Sequence, residues 1–274
     1  MTGGGAGLDR GKRNLLGVLV DVIDYQAATA RVIEAARQRQ PLALTALAVH
    51  GVMTGARDRD HAARLNGFDL VTADGQPVRW GLNLLHRAGL RDRVYGPTLT
   101  MRVLARCAEE GLPVYLYGST ESTLRRLTSA LAAQLPALKI AGAEPSKFRT
   151  AQPGEADEIA ARIHDSGARL VLVGLGCPRQ ELFAYAMRPL VAAPLLAVGA
   201  AFDYHAGQLR TPPAWMQRAG LEWLWRLGLE PRRLWRRYLL LNPDYLARLT
   251  AQALRLWRPR PAPAATEPLL GFPV

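Results

Sequence analysis

Cysteine is scarce in this chain of 274 residues, and histidine shows no grouping. The two cysteines, Cys107 and Cys177, lie far apart and form neither a Cys-x-x-Cys pair nor a disulfide framework, so a reducing compartment is expected. The five histidines have no zinc-like spacing, which favours structural or solvated roles for them. The sequence therefore indicates neither a disulfide-stabilised domain nor a zinc site.

Long apolar runs are also absent. None reaches the roughly 18 residues that a transmembrane helix needs. The apolar stretch after the basic N-terminus is interrupted by Asp21 and Asp24, which indicates a strand rather than a signal peptide. Hydrophobic residues nevertheless make up 49% of the chain, enough for a large core. We therefore predict a folded protein whose membrane contact is peripheral.

Acidic residues are few relative to basic ones, with 23 against 35 and a net charge of +12. Between Arg210 and Arg260, eleven arginines meet only three acids, and this segment also holds five of the six tryptophans. Trp beside Arg suits the headgroup layer of a membrane, where the ring is half buried and the guanidinium meets phosphate. Nucleic-acid-binding proteins share this composition, but no recognised binding module appears. An anionic membrane surface is therefore the predicted partner, rather than nucleic acid.

Apolar runs alternate with amphipathic stretches up to about residue 207, which predicts an α/β fold. We expect a Rossmann-like, largely parallel sheet flanked by helices, with a basic helical appendage at the C-terminus. Strands are predicted over 15–22, 42–49, 68–72, 113–117, 138–143, 169–173 and 194–199. Helices are predicted over 25–39, 97–110, 120–134 and 155–166, and in the appendage over 213–227, 231–239 and 243–257.

This pattern divides the chain into four parts. We predict a flexible N-terminus over 1–14, a catalytic domain over 15–207, the basic appendage over 208–258, and a Pro-rich disordered tail over 259–274. Ligands of open parallel sheets bind beyond the carboxyl ends of the strands. Candidate site residues are therefore expected in the segments that follow each predicted strand.

The first such segment is VTADG, residues 71–75, which places Asp74 directly after a short strand. A carboxylate there can act as a general base on a substrate hydroxyl. It can equally cap the helix that begins near Pro77. From these residues alone both roles are open.

The second segment, VGLGCPRQE at residues 173–181, combines a strand, a glycine turn and a helix start, an arrangement that can hold a phosphate. It lacks the third glycine of a dinucleotide fingerprint, and Pro178 removes an N–H group. This argues against a nicotinamide-dependent oxidoreductase, which is one alternative function. Gln180 and Glu181 have two candidate roles here, ligand binding and capping of the helix.

Two further acidic segments have less specific patterns. Asp203 and His205 follow the last predicted strand, where Asp203 can accept hydrogen bonds from a base or a sugar. Asp58-Arg59-Asp60 has the Asp-x-Asp form that holds divalent ions in some sugar-transfer enzymes. Its alternation with arginine favours a capped, solvated helix end instead. In the appendage, Arg226, Arg233 and Arg236 lie among tryptophans, and guanidinium groups suit bidentate capture of phosphate.

Taken together, these motifs resemble the WecG/TagA/CpsF glycosyltransferases, bacterial enzymes of cell-surface polysaccharide and teichoic-acid assembly. The resemblance spans about residues 15 to 240. It rests on TADGQPVRW, RVYGP, VYLYGS, VGLGCPRQE, VGAAFDYHAGQLRTPPAW and LEWLWRL..EPRRLWRR, which occur in order and at fitting intervals. It implies sugar transfer from a nucleotide-activated donor, usually a UDP-sugar, to a polyprenyl-diphosphate-linked sugar, with inversion, without a cofactor and without a required metal.

The resemblance also implies roles for individual residues. Asp74 is expected to be the base, and Thr45, Arg93, Gln180 and Asp203 are expected to bind the donor. The acceptor diphosphate is expected to meet Arg226, Arg233 and Arg236 of an appendage that closes over the active site at the membrane. Leu47 stands where many members have an asparagine, and Thr211 stands where alanine is common.

These expectations place the protein in the cytoplasm, peripheral on the inner face of the cell membrane. The exposed tryptophan-rich appendage predicts either a homo-oligomer or a monomer docked on the membrane. The second alternative function, besides the oxidoreductase, is a non-catalytic basic protein that binds anionic lipid or nucleic acid. Salt-dependent DNA binding without sugar transfer would distinguish that protein from an enzyme.

Overall fold

A computed structural model describes residues 7–269 and 271–274 of the chain, and the backbone but not the side chains of Arg233 and Arg237. The strands are β1 Asp9–Leu15, β2 Val18–Ile23, β3 Leu42–Leu47, β4 Leu70–Ala73, β5 Val114–Gly118, β6 Ile140–Glu144, β7 Leu170–Gly174 and β8 Pro194–Ala197. The helices of the N-terminal half are α1 Tyr25–Gln38, α2 Val49–Arg57, α3 Arg59–Asn66, α4 Gln76–His86 and α5 Gly96–Glu110. Those of the C-terminal half are α6 Glu121–Gln134, α7 Glu155–Asp165, α8 Arg179–Met187, α9 Ala201–His205, α10 Ala214–Arg218, α11 Glu222–Leu229 and α12 Pro231–Ala253.

Strands β3 to β8 form one sheet in the order β4-β3-β8-β7-β5-β6, and every neighbouring pair is parallel. Its strands are almost wholly apolar because helices cover both faces. In β7, for example, Leu170 and Leu172 point into one core while Val171 and Val173 point into the other. The structure confirms the predicted α/β, Rossmann-like architecture.

The N-terminal region differs from the prediction. Residues 9–14, expected to be flexible, belong to β1, which pairs antiparallel with β2 in a separate hairpin. The single strand expected over 15–22 is interrupted at Leu16 and Gly17, where both residues have positive φ and the chain turns. Apolar residues continue on both sides of this turn, so periodicity alone did not mark it. Residues 1–6 of the predicted flexible segment lie outside the described residues.

The appendage is helical as expected, but its last helix is longer. α12 runs from Pro231 to Ala253 without a break, with Pro243 inside it, whereas the sequence pattern predicts two helices there. Its inner side packs on α2 and α4, where Tyr245 is buried and its hydroxyl donates to the Pro77 carbonyl at 2.8 Å. Gly81 permits this contact, since a Cβ atom there would lie 2.7 Å from the Tyr245 hydroxyl.

The Pro-rich tail also differs from the prediction, because it lies against the folded domain instead of being disordered. Ala262, Phe272 and Val274 are buried. Backbone hydrogen bonds join Ala265 to Ala63 and Val274 to Arg149. The prediction of disorder over 259–274 was therefore wrong for the described tail residues, because proline content does not report whether a segment packs on the core.

Candidate active site

A cavity of about 710 Å³ opens at the carboxyl ends of the parallel strands. Its wall includes residues that follow all six strands: Ala48 after β3, Asp74 after β4, Ser119 after β5, Phe148 after β6, Gly176 after β7 and Gly199 after β8. The appendage closes another side with residues of α11 and α12. This is the position at which open parallel sheets bind ligands, so the cavity is the candidate active site.

Asp74 lies in this wall, directly after β4. Its backbone N–H donates to the Leu47 carbonyl at 3.0 Å, which continues the pairing with β3 past the end of the strand. Its carboxylate accepts a hydrogen bond of 2.6 Å from the N–H of Gly96, the first residue of α5. The N-cap of α4, the helix that follows Asp74 in the chain, is Gly75, and no side chain caps this helix. Asp74 is therefore not the cap of α4 that one sequence interpretation had suggested.

The surroundings of Asp74 disfavour its charged form. Burial raises the pKa of the Asp74 carboxyl to about 6, against the opposing effects of Arg93 and of the Gly96 hydrogen bond. The negative charge of Glu222 raises the pKa further, and the positive charge of Arg226 lowers it. The side chain is only partly exposed, and that exposed part faces the cavity. A carboxyl with a pKa near neutrality is suited to accept a proton and release it again.

Arg93 also lines the cavity, but an acidic residue of the appendage already binds its guanidinium. Both terminal nitrogens of Arg93 donate to the carboxylate of Glu222 in α11, one of them at 2.5 Å. Only 5% of the Arg93 side chain is exposed, and its guanidinium carbon lies 4.3 Å from the ring centre of Tyr95. The residue expected to lie near a diphosphate is therefore held by a bidentate ion pair.

Gln180 reaches the cavity from the first turn of α8. Its amide nitrogen donates to Glu181 at 2.9 Å and to the Ala197 carbonyl at 3.3 Å, while its Oε1 is buried and lacks a partner within the part of the chain described. Neither Gln180 nor Glu181 caps α8 through its side chain. Gly199 makes room for the amide, since a Cβ atom there would lie 2.5 Å from Gln180 Oε1.

Thr45 does not line the cavity. It is fully buried inside β3, and its hydroxyl donates to Glu181 Oε1 at 2.9 Å. Burial raises the pKa of Glu181, although hydrogen bonds from Gln180 and Thr45 oppose this shift. Thr45 therefore lies behind the cavity wall, where it supports Glu181 and, through it, Gln180. Its position before the end of the strand explains why it faces α8 rather than a ligand.

Two tyrosines complete the region around Asp74. Tyr95 and Tyr204 both line the cavity and contact each other edge to face, with ring centres 6.2 Å apart. Asp203, the predicted donor-binding residue, lies beside Tyr204 in α9 and also faces the cavity. His205 instead bonds through its ring to the Pro97 carbonyl at 3.0 Å, which agrees with the structural role expected for it.

The three appendage arginines have different positions. Arg226 lines the cavity, and its Nε atom is buried without a hydrogen-bond partner among the residues described. Arg236 is exposed, does not line the cavity, and lies over the ring of Trp235. The side chain of Arg233 lies outside the described parts of the structure, although its backbone belongs to α12. Of the predicted set, Asp74, Arg93, Gln180, Asp203 and Arg226 thus meet at one cavity.

Comparison with known protein families identifies the family of the chain. Residues 13–259 match the model of the WecG/TagA/CpsF glycosyl transferase family. The chain belongs to this family. It is thus a glycosyltransferase of cell-surface polysaccharide synthesis. The match extends through the appendage, which contributes Glu222 and Arg226 to the cavity of the glycosyltransferase.

Other expectations can be compared with the same geometry. The Asp58 carboxylate accepts hydrogen bonds from the backbone of Asp60 and His61, so this Asp-x-Asp segment caps α3, as its alternation with arginine had favoured. Among the described residues, no group of three or more His, Cys, Asp or Glu side chains is placed to hold a metal ion. No described helix is both long and apolar enough to cross a membrane.

Sequence reasoning missed several cavity residues of the glycosyltransferase. Tyr95 stands two positions after Arg93 in the RVYGP motif, so its proximity to the site could have been proposed. Glu222 was noted only as one of three acids in a basic segment, although its sequence neighbours had been singled out. Phe148 follows β6 in a segment that matched no motif. For Phe148, no sequence signal was available.

Proposed function

We propose that this glycosyltransferase moves a sugar from a UDP-sugar to a polyprenyl-diphosphate-linked sugar with inversion at the anomeric carbon. The observation that carries the proposal is Asp74, a cavity-facing carboxylate with a raised pKa that shares one cavity with Arg93 of the loop before α5 and Arg226 of the appendage. No cofactor takes part in the proposed reaction, and no metal is required.

In the proposed reaction, the acceptor hydroxyl oxygen attacks the anomeric carbon while Asp74 accepts the hydroxyl proton. The bond between the anomeric carbon and the diphosphate oxygen breaks, and the nucleoside diphosphate leaves with the electron pair. Attack opposite to the departing group inverts the configuration. This displacement requires a protein group on each side of the sugar. A base faces the acceptor hydroxyl, and a cation faces the departing diphosphate of the donor.

Positive charge for the departing donor diphosphate comes from Arg226, which lines the cavity and whose buried Nε has no hydrogen-bond partner in the described parts of the chain. Its Nη2 atom lies 3.5 Å from the Glu230 carboxylate. Arg93 supports the same field, although its guanidinium is shared with Glu222. Gln180 and Asp203 offer hydrogen-bonding groups to the donor. Thr45 supports Gln180 indirectly, through the buried Glu181.

The outer surface of the appendage supports a membrane-bound acceptor. Large apolar side chains are exposed along α10, α11 and α12, namely Trp215, Leu224, Leu229, Trp235, Leu239 and Leu240. Arginines such as Arg236 are interspersed with them, and such a surface suits the interface of an anionic membrane. We place the protein on the inner face of the cell membrane, in contact with anionic lipid, as a homo-oligomer or as a docked monomer.

A product assay tests the proposed reaction. The protein is incubated with a panel of UDP-sugars and a short-chain prenyl-diphosphate sugar, with and without chelator. Product mass identifies the sugar transferred, and NMR coupling at the new bond reports its configuration. We expect one UDP-sugar to give an inverted product in both conditions. A retained configuration, a requirement for divalent metal, or the absence of product with every UDP-sugar would contradict the corresponding part of the proposal.

A further inference from the structure

The C-terminal tail carries an inference that the family match does not contain, because residues 260–274 lie beyond the matched range. The last residues of the chain bind one loop, the segment 146–151 between β6 and α7. Val274 N–H donates to the Arg149 carbonyl at 3.0 Å, and Ala151 N–H donates to the Phe272 carbonyl at 2.8 Å. Thr150 and Pro273 form an antiparallel bridge between these bonds.

Apolar contacts fix the tail to the domain core. Phe272 is 4% exposed and packs edge to face on Phe183, with ring centres 5.8 Å apart. Phe183 in turn stacks on Tyr117 of β5 at 4.3 Å. Val274 is fully buried. Two side chains of this size bury enough apolar surface to hold a short segment in place.

Ser146 connects the tail to the cavity wall. Its buried hydroxyl donates to the main-chain oxygen of Val274 at 2.9 Å. The Oγ atom of Ser146 also accepts from the Phe148 N–H at 3.0 Å and from Arg179 Nη2 at 3.3 Å. One hydroxyl therefore links Val274, the backbone of Phe148 and Arg179, the first residue of α8.

Phe148 has an unusual conformation for an exposed aromatic residue. Its φ is +53°, a left-handed backbone conformation that bulky side chains rarely adopt. The side chain is 59% exposed, lines the cavity, and lies under the guanidinium of Arg179 at 5.3 Å from the ring centre. Strain of this kind persists only where surrounding contacts hold it, and here the contacts come from Ser146 and the tail.

The position of Phe148 indicates what its ring contacts. Asp74 follows β4 at one edge of the sheet, whereas Phe148 follows β6 at the opposite edge. Phe148 thus bounds the end of the cavity that lies beside β5 and β7. Asp74, whose carboxylate must lie near the reacting sugar, is at the other end. In a nucleotide sugar, the part remote from the anomeric carbon is the planar base, and an exposed aromatic ring can stack on such a base.

We propose that Phe148 is a donor-binding residue that stacks on the nucleotide base, and that the tail residues 271–274 act through Ser146 as a positioning segment for it. This inference rests on the proposed function, because it takes the donor to be a nucleotide sugar. It adds a contact for the base, and it gives the last residues of the chain a role in donor affinity.

The experiment measures UDP binding by isothermal titration, at a temperature below the melting point of every variant, and KM and kcat for donor and acceptor separately. Phe148→Ala is expected to weaken UDP binding about 5- to 150-fold, the loss typical of one stacked base. The donor KM is expected to rise with it, while kcat and the acceptor KM stay near the wild-type values. Phe148→Trp retains a stacking ring and is expected to restore binding.

The tail is tested by two independent variants, because deletion of residues 271–274 removes buried side chains and can impair folding. Ser146→Ala keeps the tail and removes only the linking hydroxyl, and Ser146→Thr retains that hydroxyl as its control. Both Ser146→Ala and the deletion are expected to weaken UDP binding in the wild-type background. Neither should weaken it further in a Phe148→Ala background, because residues that act through one another are not additive.

The outcomes separate the inference from the proposed function. Wild-type protein that binds no UDP would contradict the proposed function and, with it, this inference. Wild-type protein that binds UDP while Phe148→Ala binds equally well would contradict the inference alone. A rise in acceptor KM instead of donor KM would assign the ring to the lipid-linked substrate. Additive effects of Ser146→Ala and Phe148→Ala would exclude the positioning role.

Discussion

Substitution of Asp74 by asparagine should abolish most activity and stabilise the fold at the same time. The asparagine side chain has the same shape and can still accept the Gly96 N–H bond, but it can neither take up a proton nor carry a charge. General-base catalysis is typically worth about 10²- to 10⁴-fold, so turnover should fall by that factor. In the wild type, kcat/KM should fall about tenfold per pH unit below the Asp74 pKa of about 6.

The effect on stability follows from the same pKa. Because the folded protein raises the Asp74 pKa from 3.8 to about 6, the folded state binds more protons than the unfolded state between these values. Wild-type stability therefore decreases as pH rises through this window, by at most about 3 kcal/mol. The asparagine variant lacks this penalty, so we expect Asp74→Asn to be about 1–3 kcal/mol more stable at pH 7 and equal to the wild type below about pH 4.

Asp21 provides a matched control for Asp74. It is a buried acid of β2 that does not line the cavity; it accepts the Val71 N–H bond at 2.7 Å, and burial raises its pKa to about 6 as well. Asp21→Asn should gain stability at neutral pH yet keep full turnover. Chemical denaturation at pH 4, 5.5 and 7 and transfer assays on all three proteins make the comparison. Near-normal turnover of Asp74→Asn, or lower stability of that variant at pH 7, would refute the reasoning.

Further predictions concern the partners of this carboxylate. Glu222→Gln should move the acidic limb of the kcat/KM profile to lower pH, because Glu222 raises the Asp74 pKa. It should also lower the free energy of unfolding by about 3–5 kcal/mol, because Arg93 loses its buried counter-ion. An unchanged pH profile would separate the pair from catalysis. Glu181→Gln should preserve activity. Its stability relative to the wild type should rise as pH increases, because burial raises the pKa of Glu181 and the wild type must hold a buried charge at high pH. Thermal melts at pH 5 and 8 test this, and a variant less stable than the wild type at pH 8 would contradict it. Arg226→Ala should lower kcat/KM in the transfer assay, whereas the exposed Arg236→Ala should only weaken binding to anionic vesicles; equal kinetic losses in both would contradict the distinction.

Much of the fold was predictable because local and global signals agree. Runs such as LVLVG in β7 are apolar throughout because both faces of the sheet are covered, and amphipathic helices follow at regular intervals. Asp74 could be proposed as a site residue because it directly follows a strand, and carboxyl ends of parallel strands share one edge. Thr45 was less predictable, since one position along a strand determines whether a side chain meets the ligand or the helix behind it.

Other features depend on contacts between distant parts of the chain. The pairing of Glu222 with Arg93 joins two segments that nothing in their local sequence connects. The order of the tail depends on the fit of Phe272 beside Phe183, which composition does not report. Continuation of α12 through Pro243 reflects packing against α2 and α4, which outweighs the intrinsic preference of proline.

The ion pair between Arg93 and Glu222 couples anion binding at Arg93 to the position of α11. Since Arg93 lies in the loop between α4 and α5 and its counter-ion Glu222 lies in α11, any movement of α11 away from this loop leaves a buried charge uncompensated. An anion that binds Arg93 thereby favours release of α11, and release of α11 strengthens that anion's binding by the same factor. Where the appendage contacts a membrane as proposed, a bilayer that favours release of α11 should raise the affinity for UDP by the same factor by which UDP raises the affinity for the bilayer.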